Sequence, residues 1–335
     1  MSASKRYLIS GGAGFIGSEL TRQLAATGAE VIVVDNLVNG KEENVSEVVS
    51  ERVHLEVTDI RDTAKMQTLM QGVDIVFHLA CLGVRHSIHS PTENHDVNAS
   101  ATLELLKLSK ELGVGRFVYV SSSEVYGTAI RVPMDEQVPT YPHTVYGASK
   151  LAGEHYARAF YQTYKYPTVM VRPFNSFGPR SHHEGDSGEV IPKMILRTLA
   201  GKPMIIFGDG EQTRDFTFVA DTARGILLAG TSETALGETI NLGQGSEIKI
   251  KDLALLIRKV LDKPGAVIEH IEPRPGDVLR LYADSTKAHN LLNFTPEVSL
   301  EAGLRELLDW YLAEGVDAEK LLENERVRNW VAAEK

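Results

Sequence analysis

The stretch that decides the fold is Tyr7-Leu8-Ile9-Ser10-Gly11-Gly12-Ala13-Gly14-Phe15-Ile16-Gly17. A short apolar run leads into glycines at positions 11, 14 and 17, and a helical pattern begins at Phe15. The first glycine permits a tight strand-to-helix turn, the second lets backbone approach a pyrophosphate, and the third lets helix and strand pack closely. Free N–H groups at the helix N-terminus would hold the phosphates. The spacing therefore predicts a βα unit that binds a dinucleotide.

The acid at the end of the next strand indicates which dinucleotide is bound. The apolar run Val31–Val34 is followed by Asp35, eighteen residues after Gly17. An acidic side chain at this position binds the 2′-hydroxyl of the adenosine ribose and repels a 2′-phosphate. No arginine stands within 35–40 to accept such a phosphate. The sequence therefore favours NAD over NADP.

Strand-like and helix-like patterns alternate through the first half of the chain. The runs that predict strands are Tyr7–Ile9, Val31–Val34, Val53–Leu55, Ile75–Leu79 and Phe117–Val120. The segments between them, such as Phe15–Ala26 and Asn98–Leu112, carry apolar residues at helical spacing. Near-continuous apolar strands between helices are typical of a parallel sheet covered on both faces. We therefore predict an α/β fold with a Rossmann doubly wound parallel sheet.

The pattern changes after Phe174, where Pro and Gly become frequent and the elements become short. Further strands are predicted at Val169–Val171 and Ile205–Phe207, and further helices at Tyr146–Tyr164, Ile191–Ala200, Val219–Ala229, Ile250–Leu261 and Leu300–Leu312. We expect a smaller C-terminal substrate domain that is interleaved with the first domain. The predicted bounds are 1–174 for the NAD-binding domain, with segments such as 215–243 returning to it, 175–315 for the substrate domain and 316–335 for a helical tail.

Composition excludes several classes of function. The chain has 335 residues, and its 35 basic and 45 acidic residues give a net charge of −10. This is the wrong sign for a nucleic-acid surface or a polybasic membrane patch. No run reaches the roughly 18 apolar residues of a membrane span, and a single cysteine, Cys81, excludes a disulfide framework or a Cys-rich zinc site. We expect a cytoplasmic protein that binds neither nucleic acid nor membrane, and that holds no metal.

A tyrosine and a lysine one helical turn apart form the candidate reactive centre. The segment Tyr146-Gly147-Ala148-Ser149-Lys150 opens a long helical pattern, and residues i and i+4 share a helix face. A phenol with a pKa near 10 is a poor base at neutral pH. The Lys150 ammonium and a positive nicotinamide nearby would favour the phenolate. Tyr146 could then remove a proton from a substrate hydroxyl while hydride leaves the same carbon.

The strand Phe117–Val120 ends in Ser121-Ser122-Ser123-Glu124-Val125-Tyr126-Gly127. Ligands of a doubly wound sheet bind just outside the carboxyl ends of its strands, so hydroxyls here can reach the oxygen that Tyr146 deprotonates. We therefore take Ser122 and Ser123 as candidate catalytic residues. Glu124 is a candidate base, since it would lie at the lip of a partly dry site.

Together these motifs resemble those of an extended short-chain dehydrogenase/reductase, in the group of NAD-dependent nucleotide-sugar epimerases and dehydratases. The motifs stand in family order over nearly the entire chain: Gly11–Gly17, Asp35, Asp59-Ile60, His78-Leu79-Ala80, Ser121–Gly127, Tyr146–Lys150, 172–179, 208–216 and 273–277.

The resemblance implies a particular set of binding residues. NAD would be held by Gly11, Gly14, Phe15, Ile16, Asp35, Asn36, Asn39, Gly40, Asp59, Ile60, Leu79, Ala80, Tyr146, Lys150 and Pro173. A nucleoside-diphosphate sugar would contact Asn175, Arg214, Arg274 and Asp277, and a guanidinium suits a pyrophosphate. The resemblance also implies a homodimer joined through the helices around Asn98–Leu112 and Tyr146–Tyr164.

Members of this group begin alike, by oxidising C4 of the sugar, and then differ. Return of hydride to the opposite face gives a 4-epimerase, removal of the C5 hydrogen and the 6-hydroxyl gives a 4,6-dehydratase, and a C6 carboxylate gives a decarboxylase. Dehydratases of the dTDP-glucose type carry Thr-Asp-Glu before Val-Tyr-Gly, whereas this chain has Ser122-Ser123-Glu124 and lacks the aspartic acid. We expect a 4,6-dehydratase acting on a UDP-sugar, then a 4-epimerase, then a UDP-glucuronate decarboxylase. A non-catalytic NAD-binding sensor is the alternative of another class.

Two loops carry further polar residues. His182 and His183 have metal-like side chains, but adjacent histidines do not share the spacing of helical metal ligands, so a polar lid over the sugar is favoured. The fourth strand is followed by Arg85, His86 and His89. These side chains could contact the substrate, or the segment could be a solvated loop, and the sequence favours neither.

Overall fold

The computed structural model describes residues 5–184, 187–274 and 278–328. Its strands are β1 (Arg6–Ser10), β2 (Glu30–Asp35), β3 (Val53–Val57), β4 (Ile75–His78), β5 (Arg116–Val120), β6 (Thr168–Pro173), β7 (Asn175–Phe177), β8 (Met204–Phe207), β9 (Thr213–Arg214), β10 (Phe216–Phe218), β11 (Thr239–Leu242), β12 (Ile248–Lys249) and β13 (Ile268–Ile271). Its helices are α1 (Phe15–Ala26), α2 (Thr63–Leu69), α3 (Val84–His89), α4 (Pro91–His95), α5 (Ala101–Glu111), α6 (Val145–Tyr164), α7 (Val190–Leu199), α8 (Val219–Thr231), α9 (Ile250–Val260), α10 (Thr286–Leu292), α11 (Leu300–Ala313) and α12 (Ala318–Leu321).

A seven-stranded parallel sheet forms the first half of the fold. Its order is β11-β6-β5-β4-β1-β2-β3, so the strand order reverses between β1 and β4. The prediction of a doubly wound Rossmann sheet is confirmed. In such sheets ligands bind at the carboxyl ends of the strands beside this reversal.

Apolar side chains that alternate along the strands build a core on each face of the sheet. Along β1, Ile9 points into a core with α1, α8 and α10, whereas Leu8 points into a core with α2, α5 and α6. Neither side chain is accessible to solvent. Burial of one such side chain stabilises the fold by about 1.5–3 kcal/mol relative to its exposed state. The sheet is thus a rigid platform for the loops at its carboxyl edge.

The second half returns to the sheet and also builds a core of its own. Helix α8 packs on α1, and β11 pairs with β6, so residues within 215–243 belong to the main sheet layer. The remaining short strands pair as β7 with β10, β8 with β13 and β9 with β12. Helices α7, α9 and α11 pack around them in a separate apolar cluster. The domain bounds given above stay a prediction.

Several elements differ from the sequence expectation. Residues 84–89, considered as a possible solvated loop, form helix α3. The predicted helix Asn98–Leu112 begins with a π-helical turn at Asp96–Ser100 before α5 starts. Within the described part of the predicted tail, only Ala318–Leu321 is helical. After the following turn, Glu325 accepts a hydrogen bond from Nη1 of Arg197 on α7 at 2.6 Å. Both side chains of this ion pair are nearly buried.

Candidate functional site

The glycines of the first βα turn make a tight cradle. Gly11 has a φ of +74°, and a Cβ added there would lie 2.6 Å from the backbone N of Ala80. A Cβ on Gly17 would lie 2.0 Å from the carbonyl oxygen of Gly11. Phe15 is buried in the C-terminal core, so what it offers to a phosphate at the N-terminus of α1 is its backbone N–H. Backbone alone therefore lines this cradle, as a pyrophosphate requires.

Gly17→Ala tests this close packing of helix on turn. The added methyl group cannot fit 2.0 Å from a backbone oxygen, so α1 must shift, at a cost at least as large as the roughly 1–3 kcal/mol of an overpacked core. We expect a lower midpoint of thermal unfolding and little NAD in the purified protein, measured by chromatography of the acid extract. Gly265→Ala is the matched control, since nothing lies within 4 Å of its added Cβ. Normal NAD content in the Gly17 variant would contradict the cradle.

Asp35 lies at the end of β2 and faces the same turn. Its carboxylate accepts hydrogen bonds from the backbone N–H of Ala13 at 3.1 Å and of Leu37 at 2.9 Å. Burial raises the pKa of Asp35, and these backbone donors partly offset the rise. A Cβ on Gly40 would lie 2.7 Å from the Asp35 oxygen, so glycine lets this loop close over the carboxylate. The group is positioned for the hydroxyls of a ribose.

The other predicted cofactor residues follow the neighbouring strands. Asp59 accepts a hydrogen bond from Asn36 at 3.1 Å and pairs with Arg61, whose hydrogen bonds lower the pKa of Asp59 to about 2. Ile60 is buried beside it. The backbone N–H of Leu79 donates to Ser10, which holds Leu79 and Ala80 against the glycine turn. Asn39 is exposed on the loop after β2, and Pro173 is buried at the end of β6.

Helix α6 carries the Tyr146–Lys150 pair. Thr144 caps the helix by accepting a hydrogen bond from the backbone N–H of Gly147 at 3.0 Å. Lys150 is 2% exposed, and its ammonium lies 4.8 Å from the centroid of the Tyr119 ring. It makes no ion pair with any described residue. A buried ammonium of this kind requires polar partners, and the ribose hydroxyls of a bound dinucleotide would supply them.

The side chains around Tyr146 come from three separate segments. Burial raises the pKa of Tyr146 well above its ordinary value, the Cys81 and Glu124 side chains raise it further, and a hydrogen bond with Ser122 lowers it. The structure thus brings Tyr146, Ser122 and Glu124 together, as the sequence predicted, and adds Cys81. Because burial is the largest of these effects, the phenol stays protonated in the chain alone.

The serine turn packs directly against α6. Ser122 accepts a hydrogen bond from the backbone N–H of Glu124 at 3.2 Å and so caps the short 3-10 turn Ser123–Val125. Ser123 is buried, whereas Ser122 and Glu124 are half-buried. A Cβ on Gly147 would lie 2.8 Å from the carbonyl oxygen of Glu124, so a glycine is required for this contact. The backbone of the turn is thereby held beside the first turn of α6.

Two asparagines that sequence reasoning missed hold the loop after β4. Asn98, in the π-helical turn, accepts from the backbone N–H of Leu82 at 2.8 Å and donates to its carbonyl at 2.9 Å. Asn94 donates to the same carbonyl at 2.9 Å and accepts from Ser149 of α6 at 3.2 Å. Both side chains are buried. The only signal in the sequence is their four-residue spacing, which puts both on one helix face.

The predicted sugar-nucleotide residues lie on the second half of the chain. Asn175 begins β7, which pairs with β10. Arg214 donates to the carbonyl oxygens of Thr213 and Val278, both at 2.7 Å, so it lies beside the segment that follows Arg274. The guanidinium of Arg274 lies 5.0 Å from the centroid of the Phe207 ring. Asp277 lies outside the described residues.

Asp215, next to Arg214, is a buried residue that sequence reasoning missed. Its carboxylate accepts hydrogen bonds from the backbone N–H groups of Gln244 at 2.9 Å, Gly245 at 3.0 Å and Ala283 at 3.1 Å. Burial raises the pKa of Asp215 to about 6, and the three donors only partly offset the rise. Asp215 thus connects the segment that follows β9 to the two segments that contain Gln244-Gly245 and Ala283.

The raised pKa of Asp215 predicts how stability depends on pH. Between the ordinary pKa of 3.8 and about 6 the folded chain binds a proton that the unfolded chain has released, so stability falls as pH rises. Integrated over this window the loss is about 3 kcal/mol. Denaturant unfolding at about pH 4 and about pH 6.5 measures it. Asp215→Asn, the neutral isostere of the protonated acid, should be about as stable as the wild type near pH 4 and lose this part of the pH dependence; an identical dependence in both proteins would contradict the assignment.

The loop 180–184 lies against the segment that follows β2. Glu184 pairs with Lys41, and Arg180 donates to Glu47 at 2.9 Å. Burial lowers the pKa of both His182 and His183, which favours their neutral forms. Over residues 5–184, 187–274 and 278–328, no group of three or more His, Cys, Asp or Glu side chains could hold a metal ion. Within the same ranges no helix is both long and apolar enough to cross a membrane.

Comparison with known proteins identifies the family of this chain. The family model described as GDP-mannose 4,6 dehydratase matches residues 8–307. The putative UDP-glucose 4-epimerase of Methanocaldococcus jannaschii is 33% identical over 306 residues, which cover 90% of this chain and 97% of that protein. UDP-glucuronic acid decarboxylase 1 of Arabidopsis thaliana is 33% identical over 310 residues, 90% of this chain and 69% of that protein.

A solved structure has the same architecture. The dTDP-glucose 4,6-dehydratase DesIV from Streptomyces venezuelae, with NAD and TYD bound, superimposes with a TM-score of 0.86 and 32% sequence identity. The match covers 92% of this chain and 97% of DesIV. Proteins with three different reactions are thus similar to this chain at 32–33% identity, so the reaction has to be argued from the residues around Tyr146.

Proposed function

Because this chain belongs to the GDP-mannose 4,6-dehydratase family of extended short-chain dehydrogenase/reductases, we propose that it is an NAD-dependent 4,6-dehydratase of a UDP-sugar. The observation that carries the proposal is the contact of the serine turn with the first turn of α6, where a Cβ on Gly147 would lie 2.8 Å from the carbonyl oxygen of Glu124; the Glu124 carboxylate also raises the pKa of Tyr146. A base beside the residue that acts at C4 is within reach of the neighbouring carbon, C5.

NAD fits the residues at the carboxyl edge of the sheet. The glycine cradle suits its pyrophosphate, Asp35 its adenosine ribose, and the ammonium of Lys150 its other ribose. When bound, NAD would supply the hydride acceptor for C4 of the sugar and the donor that returns the hydride. The residues proposed to hold it are Gly11, Gly14, Phe15, Ile16, Asp35, Asn36, Asn39, Gly40, Asp59, Ile60, Leu79, Ala80, Tyr146, Lys150 and Pro173.

Tyr146 is the proposed base for the C4 hydroxyl. Burial disfavours its phenolate, and we propose that the Lys150 ammonium on the same helix face offsets part of this penalty, although burial also lowers the pKa of Lys150. Ser122, which forms a hydrogen bond with Tyr146, is positioned to donate to the same substrate oxygen. As the C4 hydroxyl loses its proton to Tyr146 and C4 loses its hydride, the carbon becomes a ketone.

Glu124 decides the next step in the proposal. A ketone at C4 acidifies the hydrogen at C5, so a half-buried carboxylate can remove that proton and the hydroxyl at C6 leaves as water. The leaving hydroxyl also needs a proton. Ser123 stands where dTDP-glucose dehydratases carry an aspartic acid, and its buried hydroxyl can only relay a proton. This absence of an acid favours a 4-epimerase as the second candidate, because epimerisation requires neither elimination nor a leaving group.

The sugar nucleotide is proposed to bind between the two halves of the chain. Arg214 and Arg274 would contact the diphosphate, because guanidinium groups bind such anions with paired hydrogen bonds. Asn175 and Asp277 complete the proposed set. As expected from the resemblance, we also propose a homodimer that buries α5 and α6.

Product analysis tests the proposed reaction. The purified protein is incubated separately with UDP-GlcNAc, UDP-glucose, UDP-glucuronate and dTDP-glucose, and the products are measured by mass spectrometry. Loss of one water from a UDP-sugar supports the proposal. Unchanged mass with altered sugar configuration would identify a 4-epimerase, and loss of carbon dioxide a decarboxylase. Bound NAD with no turnover of any of these sugars would overturn the assignment as an enzyme.

A further inference from the structure

A buried ion pair lies directly behind the residues proposed to act on the sugar. Arg172, at the end of β6, donates to Glu154 of α6 through Nε at 2.9 Å and through Nη2 at 2.5 Å. The side chains are only 6% and 4% exposed. Burial lowers the pKa of Arg172, but the hydrogen bonds and the negative charge of Glu154, together with Tyr126, outweigh burial and raise the pKa above its ordinary value. The arginine therefore stays charged.

A buried ion pair is by itself weak evidence of a role in stability. Two apolar side chains of similar volume are often as stabilising as a buried ion pair, because removing charges from water costs most of what their attraction returns. Such pairs instead fix one relative arrangement of the segments that carry them, since the paired fork geometry of guanidinium and carboxylate is lost after small displacements. The role of this pair therefore depends on which segments it joins.

The pair joins the three segments of the proposed reactive centre. Glu154 stands one helical turn after Lys150 and two turns after Tyr146 on α6. Arg172 immediately precedes Pro173, the proposed neighbour of the nicotinamide. The Arg172 guanidinium also lies 4.6 Å from the centroid of the ring of Tyr126, a residue that follows the serine turn. One guanidinium thus contacts the helix with the base, the end of β6 and the segment that carries Glu124.

The third segment is fixed from its other side as well. The Tyr126 hydroxyl donates to Asn241 of β11 at 2.8 Å, and the Asn241 amide donates to the carbonyl of Met134 at 2.8 Å. The ring of Tyr126 is 1% exposed, and burial raises its pKa to about 12, so the hydroxyl remains a donor. The ring therefore transmits the position of Arg172 to the serine turn.

Helix α6 makes two of its closest contacts through glycine residues. A Cβ on Gly147 would lie 2.8 Å from the carbonyl oxygen of Glu124, and one on Gly153 would lie 2.4 Å from the hydroxyl of Tyr119. Glycine permits close approach at both contacts. The bonds of Glu154 join the middle of the helix to the end of β6, and the Thr168 hydroxyl at the start of β6 also donates to the carbonyl of Ala157 at 2.8 Å.

We propose that the Glu154–Arg172 pair, together with Tyr126, is a positioning unit that holds Ser122 and Glu124 in register with Tyr146. The proposal rests on the function proposed above only for the roles of Ser122, Glu124 and Tyr146. It assigns no chemistry to the pair itself. It applies to any reaction that begins with oxidation at C4.

The test replaces both members at once. Single variants leave a buried charge without its partner and can fail to fold, so the main variant is the double substitution Glu154→Gln with Arg172→Met, which leaves the net charge unchanged. The control is Arg116→Met with Glu233→Gln, whose ion pair lies at the opposite end of β5 and whose arginine is as deeply buried. Arg172→Lys retains the charge without the paired geometry and should behave between wild type and the double variant.

Two measurements are made on each protein. The first is the rate at which bound NAD is reduced after addition of UDP-sugar. The second needs no sugar: the apparent pKa of Tyr146 in the protein loaded with NAD, where the positive nicotinamide favours the phenolate, obtained from tyrosinate absorbance as the difference from the same protein carrying Tyr146→Phe. We expect the double variant to reduce NAD about tenfold more slowly or worse, with KM changed by less than about twofold. The apparent pKa of Tyr146 should rise by at least about half a pH unit.

The outcomes separate this proposal from the proposed function. A double variant with the wild-type rate and the wild-type pKa of Tyr146 would overturn the positioning role, as would equal changes in the Arg116 control. If no sugar reduces NAD in the wild type, the proposed function fails. The titration then decides alone: a raised pKa of Tyr146 in the double variant supports the positioning unit, and an unchanged pKa overturns it.

Discussion

Replacing Tyr146 with phenylalanine is expected to slow oxidation at C4 by about 10²–10⁴-fold, the usual contribution of a positioned proton acceptor. The variant loses only the hydroxyl that faces Ser122 and Glu124, so the ring still packs at the start of α6. The measurement is the reduction of bound NAD after mixing with UDP-sugar, followed by absorbance.

Tyr164→Phe is the matched control for this variant. Tyr164 ends the same helix and is 54% exposed, so loss of its hydroxyl should leave the rate unchanged. Unfolding midpoints of both variants should equal that of the wild type. A Tyr146 variant that keeps more than about a tenth of the wild-type rate would refute its role as the base.

Replacing Glu124 with glutamine is expected to abolish loss of water while oxidation at C4 persists. The amide has the shape of the carboxylate but cannot accept the proton from C5, so elimination should fall by about 10²–10⁴-fold. Reduction of bound NAD should remain within about threefold of the wild-type rate, because Tyr146 and Ser122 are unchanged. Both rates are measured on the same samples, by mass spectrometry and by absorbance.

Glu301→Gln, on the exposed face of α11, is the control for a lost carboxylate away from the site. Loss of water at the wild-type rate by the Glu124 variant would show that another group takes the C5 proton. Loss of both activities would instead give Glu124 a role in C4 oxidation.

The first half of the fold could be predicted because its signals are local. Apart from the edge strand β3, the strands of the main sheet from β1 to β6 have a short apolar run ended by a polar residue or glycine, and both of their faces are buried, so no alternation obscures the run. Strands β7, β9, β10 and β12 have only two or three residues. No periodicity can be read over such a length, and their pairing depends on distant segments. Helices α3 and α4 were missed because 84–95 is largely polar.

The residues of the candidate site also fall into two groups, those predicted from local spacing and those that depend on long-range contacts. The glycines, Asp35 and the Tyr146–Lys150 pair follow from spacing within one segment. Asp215 does not, because its three hydrogen-bond partners stand 29, 30 and 68 positions away in the chain. Cys81 comes from the loop after β4, and nothing in its own segment indicates that it lies beside Tyr146. Long-range contacts of this kind require the fold.

The most direct test of the central claim follows one hydrogen atom. A UDP-sugar with deuterium at C4 is converted by the enzyme, and the position of the label in the product is read by nuclear magnetic resonance. Elimination between C5 and C6 leaves a carbon at C6 that can accept hydride, so a 4,6-dehydratase that uses Glu124 at C5 should deliver the deuterium to C6. Deuterium found at C4 of a product with all its oxygens would contradict dehydration and show that the enzyme is a 4-epimerase.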